Sequence, residues 1–298
     1  MTTTLPSALP PARHAELEAA GLDPERVLAA VVDAVAEDLP GEDVTSAATL
    51  DPSQQAWADL VARGDGVVAG LAVAEVVFRQ VVGPQVEVKR QAADGDRVTR
   101  DDVLLSVHGP VPALLTAERT ALNFLCHLSG VATATARWVD ALAGTGARVR
   151  DTRKTTPGFR ALEKYAVRCG GGVNHRATLS DMALVKDNHV LAAGGVVPAY
   201  DAVRARYPGL PVQVEVTTLD QLRELLDAGA PEILLDNMTT SQMAEAVQIA
   251  GGRARLEASG GLTLVRAREV AQTGVDYIAV GALTHSAPVL DIAMDLRP

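Results

Sequence analysis

Apolar and polar positions follow one pattern in the first third of the chain and another beyond it. Between Gln54 and Gly109 the short runs WADLVARGDGVVAG, VEVKRQAADGDRV and VLLSVHGP are bounded by Gly and Asp and predict β-strands. The intervening LAVAEVVFRQVV has helical spacing, and Asp23 followed by Pro24 predicts the start of an earlier helix. This part of the sequence therefore predicts an α+β open sandwich.

A long amphipathic stretch follows Pro110. The apolar residues of ALLTAERTALNFLCHLSGVATATARWVDAL recur every three or four positions, which predicts a helix or a helix pair between two domains.

Beyond Gly146 a short apolar run ending in polar residues is followed, again and again, by an amphipathic segment. The runs are ARVRDT, MALVKDN, PVQVEVT, EILLDN, ARLEAS and DYIAVG, and the helices between them include DQLRELLDAG, SQMAEAVQIAG and TLVRAREVAQTG. This alternation predicts parallel β/α units. The predicted fold class is α/β, with a C-terminal parallel β/α barrel, closed or incomplete, after the N-terminal α+β domain.

Two domains follow from these patterns. The N-terminal α+β sandwich domain is predicted over residues 1–125, with a flexible Thr-, Ser- and Pro-rich tail over residues 1–15, and the C-terminal segment 286–298 is predicted to join it. The catalytic barrel is predicted over residues 126–285.

Composition narrows the class of protein. The 27 Lys and Arg residues against 37 Asp and Glu residues give a net charge of -10, which argues against a nucleic-acid binder. The first twenty residues lack the pattern of a secretory signal, and no later run is apolar enough to span a bilayer, so we expect a soluble cytoplasmic protein. Two cysteines, Cys126 and Cys169, are too few for a disulfide framework.

One segment departs from the acidic average. Residues 148–189 contain nine Lys or Arg against four Asp or Glu, and much of this charge falls at predicted strand ends, where barrels place their sites. Several cations converging without counter-charges repel one another, so this cluster predicts an anionic ligand. An equally open alternative is that Arg160, Lys164 and Arg168 lie on solvated helix faces.

The same segment carries a family resemblance. DTRKTTPGFRALEKYAVRCGGGVNHRATLSDMALVKDNH strongly resembles the signature of the nicotinate-nucleotide pyrophosphorylase (carboxylating) family, also called quinolinate phosphoribosyltransferases. The likeness continues through ERTALNFL, VEV, LLDNM, SGG and VGALTHS, and covers the chain from about Ala34 to Met294. It implies a decarboxylating pentosyltransferase that converts quinolinate and phosphoribosyl pyrophosphate to nicotinate mononucleotide, pyrophosphate and carbon dioxide in de novo NAD biosynthesis.

The resemblance and the chemistry of the substrates together predict the site. Guanidinium groups hold carboxylates bidentately, so Arg153 and Arg176 are predicted to bind quinolinate, with His175 and Lys186 beside them. Lys154 and Lys186 suit the pyrophosphate. Glycine-rich strand ends bring backbone N–H groups to a phosphate. The full set of predicted substrate-binding residues is Arg119, Thr152, Arg153, Lys154, His175, Arg176, Lys186, Glu215, Asp236, Ser259, Gly260, Gly261, Gly281 and Ala282.

Four of these residues are also predicted to act in catalysis: Lys154, Lys186, Glu215 and Asp236. The two acids are expected to accept ribose hydroxyls or to help hold Mg²⁺ together with the substrate, since Mg²⁺ prefers carboxylate and substrate oxygens. The alternative is that each acid neutralises a neighbouring cation. The chain departs from the family pattern at Gln213, where relatives usually have a second acid, so the role of that acid does not carry over.

The family pattern also implies a homodimer, alone or within a larger homo-oligomer, in which Arg119 reaches into the partner's site. The alternative for Arg119 is an ion pair on a helix surface. A paralogue acting on another anionic pyridine is the nearest rival function. A lipoyl- or biotinyl-type carrier is a distant one, because the turn ADGDRV has no lysine to carry the group.

Overall fold

The computed structural model describes residues 9–297, which form two compact units. The first comprises the described residues of Met1–Ala134, Thr156–Gly171 and the described residues of Ser286–Pro298, and the second comprises Thr135–Thr155 and Gly172–His285. The helices are α1 (Pro11–Ala19), α2 (Pro24–Asp38), α3 (Val44–Thr49), α4 (Leu71–Val82), α5 (Val111–Ala141), α6 (Arg160–Cys169), α7 (Asp187–Ala193), α8 (Val196–Arg206), α9 (Leu219–Asp227), α10 (Thr240–Ala250), α11 (Ala267–Ala271) and α12 (Ala282–His285), with a 3₁₀ turn at Leu264–Arg266. The strands are β1 (Gln55–Ala62), β2 (Gly66–Val67), β3 (Glu87–Arg90), β4 (Arg97–Val98), β5 (Val103–Pro110), β6 (Arg148–Arg150), β7 (Ala183–Val185), β8 (Val212–Val216), β9 (Glu232–Asp236), β10 (Arg255–Ser259), β11 (Tyr277–Ala279) and β12 (Ile292–Arg297).

The first unit is built on an antiparallel sheet of order β12-β1-β5-β3. The last strand, β12, pairs with β1 from Trp57 opposite Arg297 to Ala62 opposite Ile292, so the C-terminal segment is part of this sheet. Helix α4 is buried along most of its length, and α2 begins as its sequence indicates, because the Asp23 carboxylate accepts the first free N–H groups of that helix.

Part of the predicted N-terminal tail is ordered. Residues 1–8 of the predicted tail lie outside the described residues, but the chain is helical from Pro11 onward. Leu17 is fully buried, and Arg13 donates to the buried carboxylate of Glu75 at 2.7 Å. These two contacts explain why a segment with tail-like composition forms α1.

The second unit contains a parallel sheet of order β6-β11-β10-β9-β8-β7. Each strand from β7 to β10 pairs with the next one in the chain, and β11 pairs with β6. Among the described strands β6 and β7 do not pair with each other, although Val173 makes a single parallel bridge with Arg150. The predicted α/β class and C-terminal β/α barrel are confirmed, and the barrel is open.

Helix α5 runs unbroken over 31 residues, so the predicted helix or helix pair is a single helix. Within residues 9–297 no helix combines the length and the apolar character that crossing a bilayer requires.

Candidate active site

A cavity of about 730 Å³ lies in the second unit, where the parallel strands end. The loops that follow β6, β7, β9, β10 and β11 converge there, together with the loop after the Val173 bridge and with Glu215 near the end of β8. They meet because parallel strands bring their carboxyl ends to one edge of the sheet. Of the predicted site residues, those that line this cavity are Thr152, Arg153, Lys154, His175, Arg176, Lys186, Glu215, Asp236, Ser259, Gly260, Gly261, Gly281 and Ala282.

Two guanidinium groups, those of Arg153 and Arg176, line this cavity and repel each other. Burial lowers the pKa of Arg176, and the positive charge of Arg153 lowers it further. Arg176 Nη1 is held by the backbone carbonyl of Met182 at 3.0 Å. Two like charges about 4 Å apart repel by roughly 4 kcal/mol near a protein surface, so a bound dianion would relieve the repulsion between such neighbours.

The loop that carries His175 and Arg176 is anchored by two aspartates. Fully buried Asp151 accepts from the side-chain nitrogen of Asn174 at 2.6 Å and from the backbone N–H of His175 at 2.8 Å. Asp181 accepts from backbone N–H groups farther along the loop; burial would raise its pKa, but these hydrogen bonds outweigh that effect and lower it. The side chain of Arg176 therefore projects from a loop that hydrogen bonds hold in place.

The acids of the cavity lie on neighbouring strands. Glu215 near the end of β8 pairs with Lys186 Nζ at 3.2 Å, and Asp236 at the end of β9 accepts from Asn237 Nδ2 at 2.8 Å. Within the described part of the chain there is no cluster of three or more His, Cys, Asp or Glu residues arranged to hold a metal. Two carboxylates nevertheless fit Mg²⁺, which typically takes one or two protein carboxylates and completes its shell with water and substrate oxygens.

Glycines follow β10 and β11 and line the cavity at the ends of these strands. Gly260 has φ of +100°, and a Cβ there would collide with Asn237, whose backbone nitrogen would be 2.9 Å away. A Cβ on Gly281 would be 3.1 Å from Lys154 Cδ and 3.3 Å from His285 Nε2. Neighbouring side chains therefore pass close to Gly260 and Gly281, whereas a Cβ on Gly261 would meet no atom within 4 Å, which leaves space beside its backbone.

Beneath the cavity lies a buried ionic network that sequence reasoning missed. Arg150 Nη1 is 2.6 Å from both Glu232 Oε1 and Glu257 Oε2, and its guanidinium lies 3.7 Å from the centre of the Tyr277 ring. Arg255 pairs with the other oxygen of Glu232 at 3.1 Å. Burial lowers the pKa of Arg150, but the attraction of the two carboxylates outweighs this effect and raises it above its usual value.

We call the ionic network of Arg150, Glu232, Glu257 and Arg255 the floor of the cavity. Gln213 connects this floor to His175. Its amide nitrogen donates to Glu232 at 3.2 Å and to Glu257 at 3.1 Å, and its amide oxygen lies 2.8 Å from His175 Nε2. Polar residues at alternate positions of otherwise apolar strands, such as Gln213 and Glu215 in VQVEV, were the available signal, because alternate residues face the same side.

The remaining predicted cations lie elsewhere. Arg119 is exposed on α5 and is not among the lining residues of this cavity. Arg160, Lys164 and Arg168 belong to α6 in the first unit and do not line it either. Of these three, Lys164 is buried, so the solvated-face alternative is wrong for that residue. Arg168 donates to the carbonyl of Ala20.

Comparison with known proteins gives consistent matches over nearly the whole chain. Residues 43–129 match the model of the quinolinate phosphoribosyl transferase N-terminal domain, and residues 131–295 match that of its C-terminal domain. A nicotinate-nucleotide pyrophosphorylase [carboxylating] of Mycobacterium leprae is 52% identical over 268 residues, covering 88% of this chain and 94% of the relative.

Solved structures agree with these matches. NadC from Streptococcus pyogenes superposes with a TM-score of 0.88 at 42% identity, covering 93% of this chain and 99% of that one. The nicotinate-nucleotide pyrophosphorylase from Francisella tularensis has a TM-score of 0.89 at 36% identity, with coverage of 92% and 96%.

Proposed function

The chain belongs to the quinolinate phosphoribosyltransferase family, and we propose that the cavity at the carboxyl ends of the barrel strands is its active site. The enzyme converts quinolinate and phosphoribosyl pyrophosphate to nicotinate mononucleotide, pyrophosphate and carbon dioxide, a step of NAD biosynthesis. The single observation that carries the assignment of the site is the convergence of Arg153, Arg176, Lys154 and Lys186 on one cavity of the second unit.

Quinolinate would bind at the arginine side of the cavity. It is a planar pyridine with adjacent carboxylates at C2 and C3, and planar guanidinium groups recognise such groups through paired hydrogen bonds. Arg153 lowers the pKa of Arg176, so the two charges act on each other and a dianion between them would be favoured. Thr152 lines the same cavity.

Phosphoribosyl pyrophosphate would occupy the part of the cavity at the ends of β10 and β11. Its 5'-phosphate would bind at the glycine strand ends, because Gly260, Gly261 and Gly281 line the cavity and glycine-rich turns can supply backbone N–H donors to a phosphate. Lys154, whose side chain passes Gly281, would contact the pyrophosphate. Glu215 and Asp236 would accept the ribose hydroxyls and hold Mg²⁺ brought in with the substrate. When bound, the ion would neutralise charge on the pyrophosphate.

The chemistry requires placement and charge stabilisation, with no covalent bond to the protein. The pyridine nitrogen forms a bond to the anomeric carbon while the bond from that carbon to the pyrophosphate oxygen breaks. Negative charge therefore grows on the leaving group, where Lys154 and Lys186 would stabilise it. The quaternary nitrogen then accepts electron density as the C2 carboxylate departs as carbon dioxide, and the carbanion left at C2 takes up a proton.

Release of labelled carbon dioxide tests the reaction directly. Purified protein would be given quinolinate labelled in the C2 carboxylate, phosphoribosyl pyrophosphate and Mg²⁺, and we expect one carbon dioxide for each pyrophosphate formed. Nicotinic acid, which lacks the C2 carboxylate, serves as the competing substrate. Turnover of nicotinic acid in preference to quinolinate would support the rival function of a paralogue that uses another pyridine.

We also propose a homodimer in which Arg119 completes the partner's site. The exposure of Arg119 on α5 and its absence from the cavity lining in its own chain support this assignment. Arg119→Ala and Lys154→Ala should each be nearly inactive. A mixture of the two should regain about a quarter of wild-type activity, because half of the sites in mixed dimers carry neither change. No recovery would mean that Arg119 does not act across subunits.

A cytoplasmic location is part of the proposal. The two cysteines, Cys126 and Cys169, are both free, as is common in reducing compartments. Cell fractionation with an antibody against the protein would test this location.

A further inference from the structure

Gln213 is buried between the floor of the cavity and His175, and none of the roles assigned above uses it. We propose that Gln213 is a positioning residue, which holds His175 as the neutral tautomer protonated on Nε2 and thereby orders the backbone of Arg176. This inference rests on the proposed function where it concerns quinolinate, and on hydrogen-bond geometry alone where it concerns the tautomer.

The direction of the Gln213 amide follows from its neighbours. Its nitrogen lies 3.2 Å from Glu232 Oε1 and 3.1 Å from Glu257 Oε2, and both carboxylate oxygens can only accept. The amide oxygen must therefore face His175 Nε2, which lies 2.8 Å away. Because that oxygen can only accept, Nε2 must carry a proton.

The other ring nitrogen has the opposite role. The backbone N–H of Arg176 points to His175 Nδ1 at 2.7 Å, so Nδ1 is an acceptor and carries no proton. Both ring nitrogens are thus engaged, and the ring is neutral. His175 in this arrangement connects the floor to the loop that carries Arg176, while its side chain is only 6% exposed.

The charges of the floor agree with a neutral ring. Arg150 and Arg255 supply two positive charges, and Glu232 and Glu257 supply two negative ones. Gln213 joins this network without adding charge, whereas an acid at this position would add a negative one. The floor is therefore balanced without an imidazolium.

A competing acceptor also lies near His175. Glu257 Oε1 is buried with no hydrogen-bond partner in the described part of the chain, and it lies 3.8 Å from His175 Nε2. If the amide were removed, this carboxylate oxygen would be available as an acceptor, and we expect the ring to move toward it. That movement would lengthen the hydrogen bond to Arg176.

The experiment has a spectroscopic arm and a kinetic arm. In the wild-type enzyme without substrate, selective ¹⁵N labelling of histidine and long-range ¹H–¹⁵N spectra at pH 7.5 report which ring nitrogen is protonated. The His175→Asn variant identifies the signals by their loss. We expect a protonated Nε2 and a bare Nδ1. A protonated Nδ1 would overturn the proposal, whether or not the protein turns over quinolinate.

Gln213→Met keeps the length of the side chain and removes both hydrogen-bonding functions. We expect it to change the His175 signature and to raise the KM for quinolinate by about three- to tenfold, the equivalent of one hydrogen bond, with the KM for phosphoribosyl pyrophosphate unchanged. Gln80→Met, which replaces another buried glutamine on α4 in the first unit, is the matched control and should alter neither quantity.

Two kinetic outcomes would overturn the role. One is a Gln213→Met enzyme with the wild-type His175 signature and an unchanged KM for quinolinate. The other is an equal rise in both KM values that Gln80→Met reproduces, which would reduce Gln213 to a purely structural residue. Should Gln213→Met fail to fold, the spectrum of the wild-type enzyme still decides the tautomer. Absence of any turnover in the wild type would refute the proposed function but leave the spectroscopic test intact.

Discussion

Replacing Arg150 by Met should destabilise the barrel more than replacing an exposed arginine by Met. Arg150 is only 12% exposed in its side chain, and it is the shared partner of Glu232 and Glu257, whose side chains are 6% and 1% exposed. Methionine fills a similar space but carries no charge. The variant would therefore leave two buried carboxylates with Arg255 as the remaining cation of the floor.

The expected cost follows from this burial. Removing one partner of a buried ion pair costs roughly 3–5 kcal/mol, because the other partner keeps its desolvation penalty without compensation. For a protein of this size each kilocalorie lowers the melting temperature by about 2–4 °C, so a decrease of roughly 6–20 °C is expected. Glu257→Gln added to Arg150→Met removes the excess negative charge. It should restore stability, with a coupling energy of about 1–3 kcal/mol between the two changes.

Calorimetry combined with hydrogen exchange measures how much the Arg150→Met change lowers the stability of the barrel. Because two compact units need not unfold together, amide exchange in β9 and β10 reports the barrel separately from the whole chain. Arg148→Met, on an exposed residue of the same strand, is the matched control and should change stability by less than about 0.5 kcal/mol. A loss below about 1 kcal/mol for Arg150→Met, or strict additivity in the double variant, would refute the reasoning.

Three further changes have defined outcomes. Arg176→Ala should raise the KM for quinolinate roughly ten- to a hundredfold, the loss of one or more charged hydrogen bonds, and a wild-type KM in steady-state assays would contradict its role. Gly260→Ala should cost about 1–3 kcal/mol of stability and weaken phosphoribosyl pyrophosphate binding in calorimetric titrations, since its Cβ meets Asn237; Gly261→Ala, whose Cβ would meet nothing, should do less damage. Burial raises the pKa of the Cys169 thiol to about 11, so its alkylation by iodoacetamide at pH 7.5 should be roughly a hundredfold slower in the folded protein than in urea. That rate should rise with pH up to about pH 11, and fast labelling of the Cys169 peptide at neutral pH, seen by mass spectrometry, would exclude the assignment.

The sequence by itself determined the order of the elements and the edge of the sheet at which the chemistry lies. Alternating strands and amphipathic helices predict parallel β/α units, and parallel strands end at one edge of the sheet. For that reason Arg153, Lys186 and Asp236, which follow or end predicted strands far apart in the sequence, could be assigned to one site, whereas Arg176 was assigned to it by the family resemblance.

Only the tertiary structure decided which buried groups meet inside the barrel. A period of two shows that Gln213, Glu232 and Glu257 alternate with apolar neighbours, but it does not show that Arg150 lies between them. It also does not show that His175 is held from below by an amide. Local pattern reports the face of an element to which a side chain belongs, whereas its partner comes from a strand distant in sequence. Partners of that kind exist only once the barrel has formed.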